Sequence, residues 1–193
     1  IMNRKGVLAG QGTTEKFVNE LHEHNHVYEE GKFLGYMDLS DFDYVIGSIH
    51  ATITPEGSYD ADNTIDIAEA GISKYFAGDS DAAAKHYFSQ YAQLADNPEV
   101  DVIGHFDLVT KFNEIRPIYD SQSKVYLQAA ADAMEMLVRA GKVFEVNTGA
   151  ISRKYRTMPY PAEKLLNLLR ELGGKVCFSS DAHFSGAVGY AFD

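Results

Sequence analysis

The feature that most constrains this chain is repeated along it. Short runs of β-branched and aromatic residues, too apolar to face water on either side, alternate with segments of helical spacing. The runs are Asp41–Gly47, Val100–Ile103, Val143–Val146 and Lys175–Phe178. Strands of that kind, interleaved with helices, pack as a parallel sheet or barrel covered by helices. Asp79 or Ser80 caps a helix with Tyr87, Phe88, Tyr91 and Leu94 on one face. Ser121 caps a longer one with the stripe Val125, Ala129, Ala133, Leu137 and Ala140, and Gly141 stops it. Pro161 opens a third, carrying Leu165, Leu168, Leu169 and Leu172, which Gly173 and Gly174 end. Earlier, Gly6–Gly10 reads as a strand-like run, and Thr13 to Leu21 as a helix with a threonine cap. Thr52–Asp62 and Ile151–Pro161 read as loops.

At 193 residues the chain reads as one α/β domain, residues 1–193. A complete β/α barrel takes roughly 250 residues. The expectation is therefore a barrel incomplete at both ends, or an open sheet.

Charge narrows the partners. Seventeen Lys and Arg against 28 Asp and Glu give a net charge of −11. That balance disfavours nucleic acid and anionic membranes, which need positive faces. Small anions held in a locally cationic site remain open. No run approaches 18 apolar residues, so no membrane-spanning helix is expected. The single cysteine, Cys177, cannot form an internal disulfide and reads as a small buried hydrophobe. A reducing, cytoplasmic setting is the expectation.

The chemistry lies just after the strands. Asp41–Gly47 runs into Ser48-Ile49-His50, and Val100–Ile103 into Gly104-His105-Phe106-Asp107. Val143–Val146 ends at Asn147-Thr148-Gly149, and Lys175–Phe178 runs into Ser179-Ser180-Asp181-Ala182-His183. In a parallel sheet all the strand carboxyl ends share one face, so His50, His105, Asp181 and His183 should converge. Three imidazoles and a carboxylate suit Zn, Mn or Fe. Asp107 would orient His105 from behind or cap the next helix, and Asn147 stands at the same outer ring. Arg153, Lys154 and Arg156 form a cationic cluster in an acidic protein, on the stretch that leaves Asn147. Arg156 is the preferred phosphate contact, with Arg153 beside it, and Lys111 and Arg116 could add charge. His22, His24 and His26 follow a helical stretch and read as an exposed loop. His86 reads as solvated, and Asp62, Asp66 and Asp79 as loop and cap residues.

Four motifs carry a resemblance: Asp43-Tyr44-Val45-Ile46-Gly47-Ser48-Ile49-His50, Ile103-Gly104-His105-Phe106-Asp107, Glu145-Val146-Asn147-Thr148-Gly149-Ala150 and Ser179-Ser180-Asp181-Ala182-His183. Together they resemble the PHP (polymerase and histidinol phosphatase) superfamily, in its histidinol-phosphatase branch, over residues 6–193. The resemblance implies a distorted (β/α)7 TIM-like barrel and a site of two or three divalent metal ions for phosphoester hydrolysis. It implies His50, His105, Asp181 and His183 as metal ligands, with Asp181 and His183 in the catalytic set. Arg153 and Arg156 would meet the phosphate. The expected substrate is a small phosphomonoester, L-histidinol phosphate first. A nucleotide or phosphodiester hydrolase and a non-catalytic domain with a vestigial metal site are the alternatives. The sequence departs from the family pattern at its start: no H-x-H motif precedes Gly6, and Leu8 stands where a bridging Glu is expected.

Overall fold

The computed structural model describes residues 43–192. The expectations for Gly6–Gly10, for Thr13 to Leu21, for Leu8 and for His22, His24 and His26 lie outside the described residues. In chain order the elements are β1 (Ile46–Gly47), β2 (Ala51–Thr54), β3 (Gly57–Asp60), α1 (Ile65–Phe76), α2 (Ser80–Gln93), β4 (Val102–Ile103), α3 (Lys124–Arg139), β5 (Val143–Asn147), α4 (Gly149–Ser152), α5 (Glu163–Glu171) and β6 (Lys175–Ser179).

Four strands form a parallel sheet in the order β1-β4-β5-β6. Each new strand joins on the same side of the one before it. Among the described residues the sheet is open, with β1 and β6 at its edges. Helices α2 and α3 pack on each other, and α3 packs on α5. The core between helices and sheet is aromatic. Phe88 of α2 lies 5.1 Å from Phe106 and 5.1 Å from Tyr126, and Phe106 lies 5.5 Å from Phe144 on β5. All four rings are buried. No helix among the described residues is long and apolar enough to cross a membrane.

Several local expectations are corrected. The Thr52–Asp62 stretch is an antiparallel hairpin, with Ala51 opposite Asp60 and Thr54 opposite Gly57. Pro55 and Glu56 make the turn, and alternation along the strands buries Thr52 and Tyr59. Helix α1 follows directly. Thr64 caps it by accepting from the Ile67 N–H, so Asp66 is a first-turn helical residue. Ser123, not Ser121, caps α3 by accepting from the Tyr126 N–H. The buried face of α3 is accordingly Tyr126, Ala130, Ala133, Met134 and Leu137, and Val125 is exposed. Residues 149–152 form the short helix α4, and α5 begins at Glu163 rather than Pro161. Asp79 does cap α2, accepting from the Ala82 N–H. His86 is not free in solvent: its Nε2 donates to the Ile53 carbonyl and its ring leans on Phe76. Cys177 is only half-buried, because β6 is an edge strand whose Val176 and Phe178 are exposed.

Candidate active site

Strands β1 and β4 end in register, Gly47 opposite Ile103. His50 and His105 therefore leave the sheet at the same end of its strands. Two tyrosines one helical turn apart on α2 hold the backbone there. The Tyr87 hydroxyl donates to the Ile49 carbonyl at 3.2 Å. The Tyr91 hydroxyl accepts from the Ile49 N–H at 3.3 Å and donates to the Gly104 carbonyl at 2.8 Å. Burial pushes both phenols well above their ordinary range, so both remain protonated. The two imidazoles meet edge to face, with ring centres 4.8 Å apart.

Their charge states differ. His105 is buried, which lowers its pKa, and the His50 charge lowers it further. His50 also feels desolvation, but the hydrogen bond and charge of Asp62 outweigh it and raise its pKa. His105 is thus the less basic of the two rings and is neutral at neutral pH. Its Nδ1 is buried with no hydrogen-bond partner.

Behind His105 stands Glu145, the central carboxylate of β5. Its Oε2 accepts from the His105 N–H at 2.8 Å and from Asn147 Nδ2 at 2.9 Å. Asn147 Oδ1 accepts from the Gly149 N–H at 2.8 Å. Asn147 thus acts on the site through Glu145 and the backbone. Glu145 was missed by sequence reasoning, yet the signal was present: a carboxylate inside an apolar strand needs buried donors. A Cβ at Gly104 would come within 2.2 Å of Ser48 Oγ, so the glycine keeps that hydroxyl in place.

Asp181 and His183 follow β6. Asp181 takes φ 42, a left-handed conformation that Asp tolerates better than most residues. Arg153 reaches back to both residues from the end of α4. Its Nη2 donates to Asp181 Oδ2 at 3.0 Å, and its Nη1 donates to the Asp181 carbonyl at 2.9 Å. Nη1 also lies 2.7 Å from His183 Nδ1. Burial would raise the Asp181 pKa, but His105, protonated at the low pH where a carboxyl titrates, and the charge and hydrogen bond of Arg153 lower it, so it is a carboxylate. Gly149 makes room for this group: a Cβ there would lie 2.8 Å from Asp181 Cβ.

The structure brings His50 and His105 together, and joins Asp181 and His183 through Arg153. Asp181 lies close enough to both other imidazoles for its charge to act on them. The other predicted cations are placed differently. Arg156 is buried; it donates to Thr110 Oγ1 at 2.9 Å, pairs with Asp107 Oδ2 at 3.7 Å, and stacks 4.2 Å from the Tyr160 ring centre. Asp107 also accepts from the Ala162 N–H at 3.2 Å, so it pins the Arg156–Ala162 stretch. Lys111 pairs with Asp62 at 3.5 Å, and Arg116 pairs with Asp66 at the surface. Asp62 lies in the bend after β3, as its loop reading has it, and from there is a direct partner of His50.

The donors match a divalent metal in kind: imidazole, carboxylate, and a buried, unpartnered His105 nitrogen. Among the described residues no three His, Cys, Asp or Glu side chains are gathered closely enough to hold an ion. The Arg153 guanidinium is the positive charge beside Asp181 and His183.

Comparison with known proteins follows the same line. The chain is 32% identical over 179 residues to a probable histidinol-phosphatase of Deinococcus radiodurans, covering 93% of this chain and 56% of that protein. It is similar to proteins of that name. A second, from Schizosaccharomyces pombe, is 26% identical over 151 residues, covering 77% of this chain and 47% of the relative. A third, from Clostridium acetobutylicum, is 26% identical over 166 residues, covering 80% and 56%. The chain thus spans about half the length of the curated relatives it matches. A solved structure of the candidate histidinol phosphatase hisK of Listeria monocytogenes superposes with a TM-score of 0.71 at 18% identity, covering 94% of this chain and 63% of that one. That likeness establishes the α/β fold with a parallel sheet. No protein-family model matches the chain.

Proposed function

We propose that the protein is a metal-dependent phosphatase of the PHP superfamily acting on a small phosphomonoester, with L-histidinol phosphate as first choice. The observation that carries the reading is the meeting, at one end of a parallel sheet, of His50 against His105 and of Asp181 and His183 against Arg153. The names of the similar proteins support the substrate. Strands that add always on one side support a distorted (β/α)7 barrel over an open doubly wound sheet.

His50, His105, Asp181 and His183 would hold two or three divalent ions, Zn, Mn or Fe. Such ions supply Lewis acidity at the phosphoryl group and a more acidic water. The neutral His105 keeps a lone pair available. Arg153 is half-exposed and forked, so it can turn from Asp181 to the phosphate oxygens once other cations hold the carboxylate. Arg156, tied to Asp107 and Thr110, stiffens the loop that carries Arg153. A small anionic substrate suits a strongly acidic chain with one local cationic site, and a cytoplasmic setting is part of the same proposal.

The test is phosphate release from L-histidinol phosphate, p-nitrophenyl phosphate and bis-p-nitrophenyl phosphate by the full-length protein with Mn, Zn or Fe. Turnover of the first well above the other two supports the proposal. Diester turnover alone would move the assignment to a phosphodiesterase. The remaining reading is a non-catalytic chain, which the names of the similar proteins do not favour. No release with any metal, together with one ion or none per chain, would establish it.

A further inference from the structure

We propose that Asp62 is the positioning residue of His50, fixing which ring nitrogen carries the proton. The hairpin makes this possible. Strand β2 leaves directly from His50, and β3 returns so that the Ala61 N–H donates to the His50 carbonyl at 2.8 Å. The next residue, Asp62, lands beside the imidazole, its Oδ1 3.2 Å from His50 Nδ1. The carboxylate is held from the other side by Lys111. Its Nζ donates to the Asp62 carbonyl at 2.5 Å and lies 3.5 Å from Oδ2. Lys111 is itself confined over the Tyr155 and Phe112 rings, 4.7 Å and 5.2 Å from their centres.

Lys111, Asp62 and His50 therefore form a chain that ends at the cluster of imidazoles. An ionised carboxylate accepts, so the proton of the neutral ring stays on Nδ1 and Nε2 keeps its lone pair. That is the tautomer a ligand imidazole needs, with its other nitrogen anchored by a carboxylate. Lys111 then serves Asp62, not a phosphate. The tautomer follows from geometry alone; its use in holding a metal rests on the function proposed above.

The experiment uses the full chain, metal-free, labelled with 15N histidine, at a pH where the ring is neutral. Long-range 1H–15N correlation should show His50 protonated at Nδ1. Asp62→Ala should shift the ring toward the Nε2–H form. Asp62→Asn, which can still accept but carries no charge, should give an intermediate mixture and guards against an alanine variant that fails to fold. An unchanged tautomer in the folded variants would overturn the proposal. Zn2+ titration of the same samples should show about tenfold to hundredfold weaker binding in Asp62→Ala. A tautomer shift in a chain that binds no Zn2+ at all would leave the positioning role standing and remove the metal reading.

Discussion

The Arg153 guanidinium lies on both the carboxylate and the carbonyl of Asp181, at 3.0 and 2.9 Å, four residues after Gly149 opens the space for it. This one arrangement links the end of β5 to the end of β6 across the site. It also sets one cation against two groups whose chemistry suits a metal.

Arg153→Ala should change stability by less than about 1 kcal/mol, because both partners are partly solvated. In the metal-loaded protein it should weaken inorganic phosphate about tenfold to hundredfold, as expected for a lost charge-assisted fork of about 1.5–3 kcal/mol. Calorimetric titration checks both, and Arg153→Lys should recover only part. Unchanged phosphate affinity would confine Arg153 to its bond with Asp181.

Arg156→Ala should behave in the opposite way. Its loss leaves the fully buried Asp107 without its counter-charge, a change that costs about 3–5 kcal/mol. Urea unfolding should show that loss. A stable Arg156→Ala protein with weak phosphate binding would restore the role its sequence position suggested.

Asp62 should give stability a defined pH profile. Burial alone would lift its carboxyl, but the hydrogen bond from His50 and the charges of His50 and Lys111 hold it at about 2, below the ordinary 3.8. A lowered folded pKa adds stability above about pH 4 that is lost as the pH falls toward 2. His50 has a raised pKa, so its share is present below 6.5 and is lost as the pH rises through the folded value. The stability difference between the metal-free protein and Asp62→Asn should therefore peak between about pH 4 and 6.5. Denaturant unfolding across that range measures it; a flat difference would sink the pairing.

Tyr91→Phe should cost about 1–3 kcal/mol, since it leaves the Gly104 carbonyl and Ile49 N–H short of a buried partner. The same substitution should loosen His50 and His105 together. Amide exchange at Ile49 and at His105 reads this out, and both should accelerate in the variant.

Much of this protein was determined by local sequence. Apolar strands between capped helices dictated a helix-covered parallel sheet, although β6 at its edge leaves Val176 and Phe178 exposed. Parallel order then puts every strand's carboxyl end on one side, which is why His50 and His105 could be paired from positions 55 residues apart. The tertiary structure decided what each charged side chain does there. Arg153 and Arg156 look alike in sequence, but burial against Asp107 commits the second, while half-exposure leaves the first at the site. Lys111 likewise belongs to Asp62. Asp62 itself was hidden because its hairpin is built from Gly, Pro and polar residues. Only the return of β3 alongside β2 brings it to His50. Strand and helix follow from side-chain periodicity, which is local. Which opposite charge a buried cation finds depends on distance through space, and short motifs do not encode that.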